Sequence, residues 1–451
     1  MTTKPIGFQT ATSLVIASMI GTGVFTSLGY QVLGIHSVFA LLMLWVIGGI
    51  ASLCGALAYG ELGAAMPRSG GEYRYLSEIF HPALGFLSGW VSATVGFAAP
   101  VALAAMAMGD YTSKVFPSIR PMGLAAAAVI LLTLIHAGNL RLGSWLQDVF
   151  TALKLILIVV FIAAGFVVGP AAGHQIRLMP DGSTWSEIFS QSFAISLFFV
   201  SYSYSGWNTS AYIAGEIKDP QRNLPRSLFW GTLAVTLLYV LLNFVFLYTT
   251  PADKLAGQVD VGYIAADSIF GALGGKIMGI MIALLLVSSV SSWIMAGPRV
   301  AQTMGQDIPL LGIFAKTTRT GIPAFAIGVQ SLISLLLIRT STFDQVLTYI
   351  GFTLNLFTLM TVTGLIMLRI KRPEMQRPYR TWGYPYTVIV FLLIGLWLLV
   401  YGLIYKPTES LMGLGTVLTG LAVYGLGKNK SILRVLKKAG LLGTASDPEV
   451  L

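Results

Sequence analysis

Charged residues are scarce in this sequence. Of its 451 residues only 10% are charged, whereas 55% are hydrophobic, and the mean hydropathy is +0.78. A soluble domain carries about 25% charged residues. The composition therefore excludes an ordinary soluble fold and predicts a chain whose surface lies mostly in lipid.

Cysteine and histidine are also nearly absent. The single cysteine, Cys54, excludes a disulfide within the chain and a cluster of thiolate metal ligands. The four histidines lie at or near the ends of apolar segments, without metal-like spacing: His36, His81, His136 and His174. We therefore expect no cofactor, no metal and no enzyme activity, since a membrane enzyme needs intramembrane acid–base or metal residues. The rings of carbonyls or like charges that a channel needs are not visible either.

Apolar segments fill most of the chain. At roughly 20 residues per crossing, the sequence predicts twelve transmembrane helices. The first lacks a small-residue cleavage site, so we expect a retained span rather than a signal peptide. The predicted spans are 10–28, 37–60, 83–110, 121–138, 145–169, 189–213, 227–249, 275–298, 323–339, 345–369, 385–405 and 409–427.

These spans divide into five, five and two. An odd number of spans in a repeat requires the second copy to be inverted in the membrane. The prediction is thus an all-α integral membrane protein with a 5+5 inverted repeat and two extra helices. Its parts are a cytoplasmic tail (1–9), a first repeat (10–169), a second repeat (189–369), spans 11 and 12 (385–427) and a second cytoplasmic tail (428–451).

The net charge of +10 comes from the distribution of basic residues. With the amino terminus inside, 20 Lys and Arg fall on the inner side and 7 on the outer, and Lys154 lies within a span. This bias follows the positive-inside rule and predicts a plasma or inner membrane protein with both termini in the cytoplasm. Nucleic-acid binding is disfavoured because the charges are spread over many loops.

Two glycine-bearing breaks interrupt apolar segments in matching places, the first span of each repeat. They are residues 19–25 (MIGTGVF) and 203–208 (SYSGWN). Backbone groups freed inside a membrane are costly unless protein, water or a ligand satisfies them. Paired breaks of this kind are the best sequence indication of a transporter's binding site. The alternative is that the glycines only allow close helix packing.

The chain resembles the amino acid–polyamine–organocation superfamily of permeases, and within it the L-type amino acid transporter branch and its bacterial relatives. The resemblance spans nearly the whole chain. The motifs that carry it are 21–25 (GTGVF), 59–75 (YGELGAAMPRSGGEYRY), 204–225 (YSGWNTSAYIAGEIKDPQRNLP), and 147–151 (QDVFT) leading to Lys154. It implies broken helices 1 and 6 and alternating access, with spans 1, 2, 6 and 7 moving against a scaffold that includes 3, 4, 8 and 9.

The breaks suit a free amino acid chemically. Amides and the positive end of a half-helix favour a carboxylate. We expect it to bind near Gly21, Thr22 and Gly23, with Thr22 adding a hydroxyl donor and Gly23 permitting close approach. The resemblance implies that carbonyls accept from the α-ammonium, at the positions Met19, Ile20, Tyr202 and Ser205.

Three polar or aromatic residues complete the expected site. Tyr202 stands where the family places an aromatic lid, although an ordinary interhelical aromatic is the alternative. Trp207 and Asn208 match a Trp-Asn pair of the family, and Asn208 either braces the unwound segment or contacts the substrate.

Lys154 is the most informative single charge. A lysine at mid-span costs about 2.5–3.5 kcal/mol on insertion scales, and this one lies about 13 Å into its span at 1.5 Å per residue. The resemblance puts it against spans 1 and 8, where sodium-coupled relatives bind an ion. We therefore expect an ammonium in place of sodium, although a structural lysine is the alternative. Span 8 does offer hydroxyls for a sodium site, at Ser288, Ser289, Ser291 and Ser292.

The substrate side chain is less determined. No carboxylate lies at mid-depth in spans 1, 3, 6, 8 or 10, which favours neutral substrates over cationic amino acids or polyamines; carbonyls could still receive a cation. Candidate side-chain pocket residues are Thr94, Trp207, Ser289, Trp293 and Asn355.

Two further expectations concern loops. Animal members of the resembled branch bond a partner subunit through a cysteine between spans 3 and 4, and this loop (111–122) has none. We thus expect no disulfide-linked heavy subunit. The loop carrying Arg68 and Arg74 is expected to pair with Glu216 or Asp219 and to help close an inner gate.

Overall fold

The structure, a computed structural model, describes residues 6–138, 143–170, 176–180, 182–319 and 321–429. Residues 1–5 and 430–451 of the two predicted tails lie outside the described residues. Within the described part the chain is helical, and its one β-bridge joins Ile6 to Ile217.

Nineteen α-helices follow one another along the described residues. They are α1 (Phe8–Met19), α2 (Gly23–Gln31), α3 (Val38–Ala65), α4 (Gly71–Ile79), α5 (Pro82–Val91), α6 (Ala98–Val115), α7 (Pro121–Gly138), α8 (Gly143–Val168), α9 (Gly182–Ile188), α10 (Gln191–Tyr204), α11 (Thr209–Tyr212), α12 (Pro220–Thr249), α13 (Ala252–Leu255), α14 (Val261–Asp307), α15 (Gly312–Ala315), α16 (Ala324–Thr340), α17 (Phe343–Lys371), α18 (Tyr386–Tyr405) and α19 (Pro407–Lys428).

Local signals start these helices where the apolar segments begin. The Ser37 and Ser190 side chains cap α3 and α10, and Thr342 forms a capping box with Gln345 at α17. α14 contains two helical parts joined at Gly271, whose φ of 72° only glycine adopts readily. The predicted span 275–298 lies in its second part.

Nine helical stretches of the described chain are long and apolar enough to cross a membrane, as in a multi-pass membrane protein. They are Phe8–Gln31, Val38–Ala65, Pro82–Val115, Pro121–Gly138, Pro220–Thr249, Val261–Asp307, Phe343–Lys371, Tyr386–Tyr405 and Pro407–Lys428; two shorter apolar helices are Ala152–Val168 and Ala324–Thr340. Each predicted span coincides with helical structure, while the count of twelve crossings, the domain boundaries and the inverted repeat stay predictions.

The helices form two packed groups. α1, α3, α10 and α12 pack on one another, as do α6, α7, α14 and α16. These groups correspond to predicted spans 1, 2, 6 and 7 and to spans 3, 4, 8 and 9. The broken helices α1–α2 and α10–α11 therefore sit in one group, with α14 of the other group also packing on α2.

Hydrogen bonds join distant segments at both ends of the bundle. We call the end where α1 begins the terminal face; there the Ile6 amide donates to the Glu216 carbonyl (2.8 Å) and the Tyr73 hydroxyl donates to Asp307 (2.9 Å). At the opposite face the Gly257 amide donates to the Gly29 carbonyl (2.8 Å). The breaks lie between these two faces.

Candidate functional site

The first break is a real interruption of the helix. α1 ends at Met19, Ile20 is extended (φ −74°, ψ 96°), and α2 begins only at Gly23. The first four N–H groups of a helix have no partner within it, so the start of α2 presents donors. The predicted break in span 1 is confirmed.

The second break passes directly against the first. α10 ends at Tyr204, and Gly206 has a φ of +99°, in the region that favours glycine. A Cβ on Gly206 would lie 2.7 Å from the Ser18 carbonyl oxygen, so the two breaks touch there. The predicted break in span 6 is confirmed, and the structure brings both breaks together.

Two carbonyls at this junction are unpaired. Among the described residues, the carbonyl oxygens of Ile20 and Ser205 accept no hydrogen bond. The other two predicted acceptors are already engaged, since the Met19 carbonyl accepts from the Tyr239 hydroxyl (2.6 Å) and the Tyr202 carbonyl from the Ser205 amide (2.9 Å). The junction thus offers free acceptors at Ile20 and Ser205.

Tyr239 of α12 is a site residue that the sequence reasoning missed. Its fully buried hydroxyl donates to Met19 and also lies beside the Gly21 amide. It therefore links the chain on both sides of Ile20. Its only sequence signal is a phenol hydroxyl within an apolar span, a group that needs a partner when it is buried.

The two glycines of the first break have different surroundings. A Cβ on Gly21 would meet only the Met19 carbonyl oxygen, at 3.9 Å, whereas a Cβ on Gly23 would overlap the Ser203 side chain. A side chain at Gly21 therefore meets no clash. Gly23 is required by the packing of α2 against α10, which is a different reason from the close ligand approach expected from the sequence.

Thr22 and Tyr202 are both buried at the junction, and their side chains lie next to each other. Thr22 also precedes the first residue of α2, so its hydroxyl sits at the donor-rich end of that helix. The lid role of Tyr202 stays a prediction, and its position beside Thr22 places both hydroxyls together.

The Trp207 ring packs against neighbouring helices. Its ring makes edge contacts with Tyr59 (centroids 4.8 Å apart) and Phe391 (6.2 Å), and a Cβ on Gly55 would meet it at 2.8 Å. These contacts fix the second break against α3 and α18.

Asn208 links the second break to α4. Its amide nitrogen donates to Glu72 of α4 (3.0 Å), and the same carboxylate oxygen accepts from the Tyr59 hydroxyl (2.7 Å). Burial raises the pKa of the Glu72 carboxyl to about 7, even though these donors act to lower it. Of the two roles left open for Asn208, the structure shows a bracing contact, and it adds Glu72 to the residues around the site.

Lys154 reaches α14, as expected for span 8. It is buried, and its ammonium donates to the Ser289 hydroxyl (2.8 Å). Two other hydroxyls of this stretch have different partners: Ser291 bonds His136 (2.7 Å) and Ser292 donates to the Ser288 carbonyl (2.9 Å). The ammonium therefore occupies one of the hydroxyls that a sodium ion would need.

The remaining candidates for the side-chain pocket, Thr94, Trp293 and Asn355, contact other parts of the chain. Thr94 lies in a π-helical turn (Ser92–Gly96) and donates to the Trp90 carbonyl (2.7 Å). Trp293 packs its ring on Phe97, and Asn355 donates to the Gly395 carbonyl (2.8 Å). None of these contacts reaches the break junction.

The predicted ion pair at the terminal face is wrong for Arg74. Its guanidinium pairs with Glu78 of the same helix (2.5 Å), because one turn of α4 places the two side chains on one face. The loop is nevertheless joined to the segment after the second break, by uncharged bonds: the Gly215 amide donates to the Ser69 hydroxyl (3.1 Å) and the Gly70 amide to the Tyr212 carbonyl (3.1 Å).

The chain belongs to the amino acid permease family, whose pattern it matches over residues 6–422. It is 31% identical over 434 residues to large neutral amino acids transporter small subunit 2 of Mus musculus, covering 94% of this chain and 81% of the relative. It is 29% identical over 442 residues to b(0,+)-type amino acid transporter 1 of Homo sapiens, covering 94% and 88%. Asc-type amino acid transporter 1 of Mus musculus is 28% identical over 435 residues, covering 94% and 81%.

Proposed function

We propose that this chain is a sodium-independent secondary transporter of neutral L-amino acids. The observation that carries the proposal is the junction of the two breaks. Free carbonyls at Ile20 and Ser205 are suited to an α-ammonium, while the donors at the start of α2, with Thr22, are suited to a carboxylate. A Cβ on Gly21 would meet no atom closer than the Met19 carbonyl oxygen, at 3.9 Å, so this place is not tightly packed. Membership of the amino acid permease family supports the same substrate class.

The transport cycle is alternating access, as an exchanger or a proton-coupled carrier. The group of α1, α3, α10 and α12 moves against the group of α6, α7, α14 and α16 about the fixed junction. The proposed topology is twelve crossings, with a 5+5 inverted repeat, in the plasma or inner membrane and with both termini in the cytoplasm. The terminal face is then the cytoplasmic face.

Sodium independence rests on the Lys154 ammonium. A fixed positive charge bonded to Ser289 repels a second cation and takes up one of the hydroxyls of α14. Transport therefore proceeds at full rate without sodium.

Neutral substrates are favoured because the polar groups at the junction are neutral. A cationic amino acid or a polyamine is the second candidate, since free carbonyls accept from ammonium and guanidinium groups alike. The relatives of this chain include a large neutral amino acids transporter small subunit, which supports the first candidate.

The chain is proposed to work without a disulfide-linked heavy subunit, because residues 111–122 contain no cysteine and Cys54 is buried. Purified chain alone, reconstituted in liposomes, is then expected to transport.

The test is counterflow of a labelled neutral amino acid into proteoliposomes, with twenty unlabelled amino acids as competitors, with and without sodium and with a pH step. Saturable counterflow that neutral amino acids inhibit and that sodium leaves unchanged is the expected result. Inhibition by cationic amino acids or polyamines alone indicates the second candidate. Current without saturation indicates a channel and overturns the proposal.

A further inference from the structure

A buried carboxylate lies beneath the second break, outside the proposed ligand junction. Glu72 of α4 is 4% exposed. One of its oxygens accepts from two segments at once, from Tyr59 of α3 at 2.7 Å and from Asn208 after the second break at 3.0 Å. Three parts of the chain therefore converge on a single carboxylate, and the proposed transport chemistry does not use it.

The groups facing Glu72 are uncharged at neutral pH. They are Tyr59 of α3, Ser88 of α5, Asn208 and Tyr212 of the segment after the second break, and Tyr75 on its own helix; Thr361 of α17 contacts Tyr59. Within the described residues no lysine, arginine or histidine is among its partners. A buried carboxylate without a cation favours its protonated form, and burial raises the pKa of Glu72 to about 7.

Two arginines on α4 and α17, which pack against each other, pair with other carboxylates. Arg74 pairs with Glu78, which is its neighbour on α4, and Arg369 binds Glu61 through two nitrogens at 2.9 and 2.6 Å. Glu72 therefore receives hydrogen bonds from neutral donors only, and protonation is the way its negative charge is neutralised.

The same helix closes the terminal face over the second break. The Gly70 amide donates to the Tyr212 carbonyl (3.1 Å), and a Cβ on Gly71 would lie 2.7 Å from the Tyr212 ring. The Gly215 amide donates to Ser69 (3.1 Å). A path from the terminal face to the junction would have to separate α4 from this segment, and that separation would expose Glu72 to water.

We propose that Glu72 is a proton-binding site controlled by the terminal face: it holds a proton while α4 is docked on the segment 206–216 and releases it to water when this docking opens. The proposal rests on the transport function proposed above and assigns the coupling proton to a residue on the opening surface. The only covalent bond that is made or broken is the O–H bond between the Glu72 carboxyl and the proton.

The sign of the pH dependence follows from linkage. The docked state has the raised pKa, about 7, and the hydrated carboxyl returns toward its ordinary value of 4.5. Protons therefore favour the docked state; this preference is complete below the lower value and is lost as the pH rises through the higher one. Between pH 8 and pH 5.5 the docked state gains about thirtyfold over the open state, from these two pKa values.

The first test reads the proton directly. Infrared pH-difference spectra of the purified wild-type protein are compared with those of Glu72→Gln, which keeps the shape but cannot ionise, and of Glu78→Gln, a matched carboxylate on the same helix. We expect a protonated-carboxyl band that titrates near pH 7 in the wild type and in Glu78→Gln and is missing in Glu72→Gln. A band that persists in Glu72→Gln, or is absent from the wild type, overturns the proposal.

The second test reads coupling. Amino acid exchange by the same three proteins in liposomes is measured while the pH on the terminal-face side falls from 8 to 5.5. Exchange by the wild type and by Glu78→Gln is expected to fall, by up to about thirtyfold where opening of this face limits the rate, whereas Glu72→Gln stays flat. If exchange by Glu72→Gln falls with pH as it does in the wild type, the coupling is refuted. Absence of saturable exchange by the wild type at every pH instead refutes the transport function, and the infrared result then decides the proton site independently.

Discussion

Replacing Lys154 by methionine tests the idea that a fixed ammonium stands where sodium-coupled proteins hold an ion. Methionine keeps the length of the side chain and its preference for helix but removes the charge. The lost interaction is a hydrogen bond from a charged donor to Ser289 at 2.8 Å. Hydrogen bonds to charged groups contribute about 1.5–3 kcal/mol. Because a lysine within a span is itself costly to insert, we expect Lys154→Met to insert and fold normally.

The expected loss is in exchange rate. If the ammonium–Ser289 bond stabilises the transport-competent arrangement, removing it slows exchange by about 10- to 150-fold, at 1.36 kcal/mol per factor of ten. The assay is initial exchange in proteoliposomes normalised to inserted protein, with thermal stability in detergent measured in parallel. Lys276→Met, an exposed lysine of α14, is the matched control and is expected to behave like the wild type.

A double-mutant cycle with Ser289→Ala separates the bond from the charge. If the two residues act through their contact, the exchange rate of the double variant is little lower than that of Lys154→Met alone. Full exchange by Lys154→Met at normal abundance, or stimulation of the wild type by sodium, refutes the reasoning.

Four further variants probe the junction and its support. Thr22→Val removes a hydroxyl donor worth about 1 kcal/mol and is expected to raise the half-saturating amino acid concentration about fivefold; unchanged uptake at all concentrations contradicts its role. Gly23→Ala drives a Cβ into Ser203 and is expected to lower stability by about 1–3 kcal/mol. Gly21→Ala, whose Cβ meets no atom closer than 3.9 Å, is expected to leave thermal stability unchanged and to weaken substrate competition. Glu61→Gln leaves Arg369 with a poorer acceptor and is expected to lower the free energy of unfolding by about 3–5 kcal/mol. The measured sign is a lower melting temperature, while the protein that remains folded keeps its substrate affinity.

The sequence predicted the features that depend on local chemistry. Long apolar runs located the helices because backbone groups in lipid must bond within their own segment. Glycine beside polar residues located both breaks, which the structure shows at 20–22 and 205–208. Lys154 was singled out because its charge is exceptional in its own span, and its contact with α14 is confirmed.

What the sequence did not predict depends on contacts between distant segments. Tyr239 bonds Met19 across 220 residues, and nothing near it distinguishes it from other aromatic residues in apolar helices. The role of Gly23 required knowing that Ser203 lies against it. The expected ion pair of Arg74 failed for a simpler reason, since its own helix offers Glu78 one turn away.

The motif at 59–75 shows why a family pattern alone does not assign roles to its carboxylates. Glu61 and Glu72 are both buried, yet Glu61 receives two bonds from Arg369, 308 residues away, and one from the Thr381 amide, whereas Glu72 receives bonds from Tyr59 and Asn208. A carboxylate with its charge compensated holds α3 and α17 together at any physiological pH. A carboxylate that receives only neutral donors changes its proton occupancy whenever its burial changes. The first is suited to a fixed contact and the second to the opening surface proposed above, so we expect the two carboxylates of one short motif to have different roles.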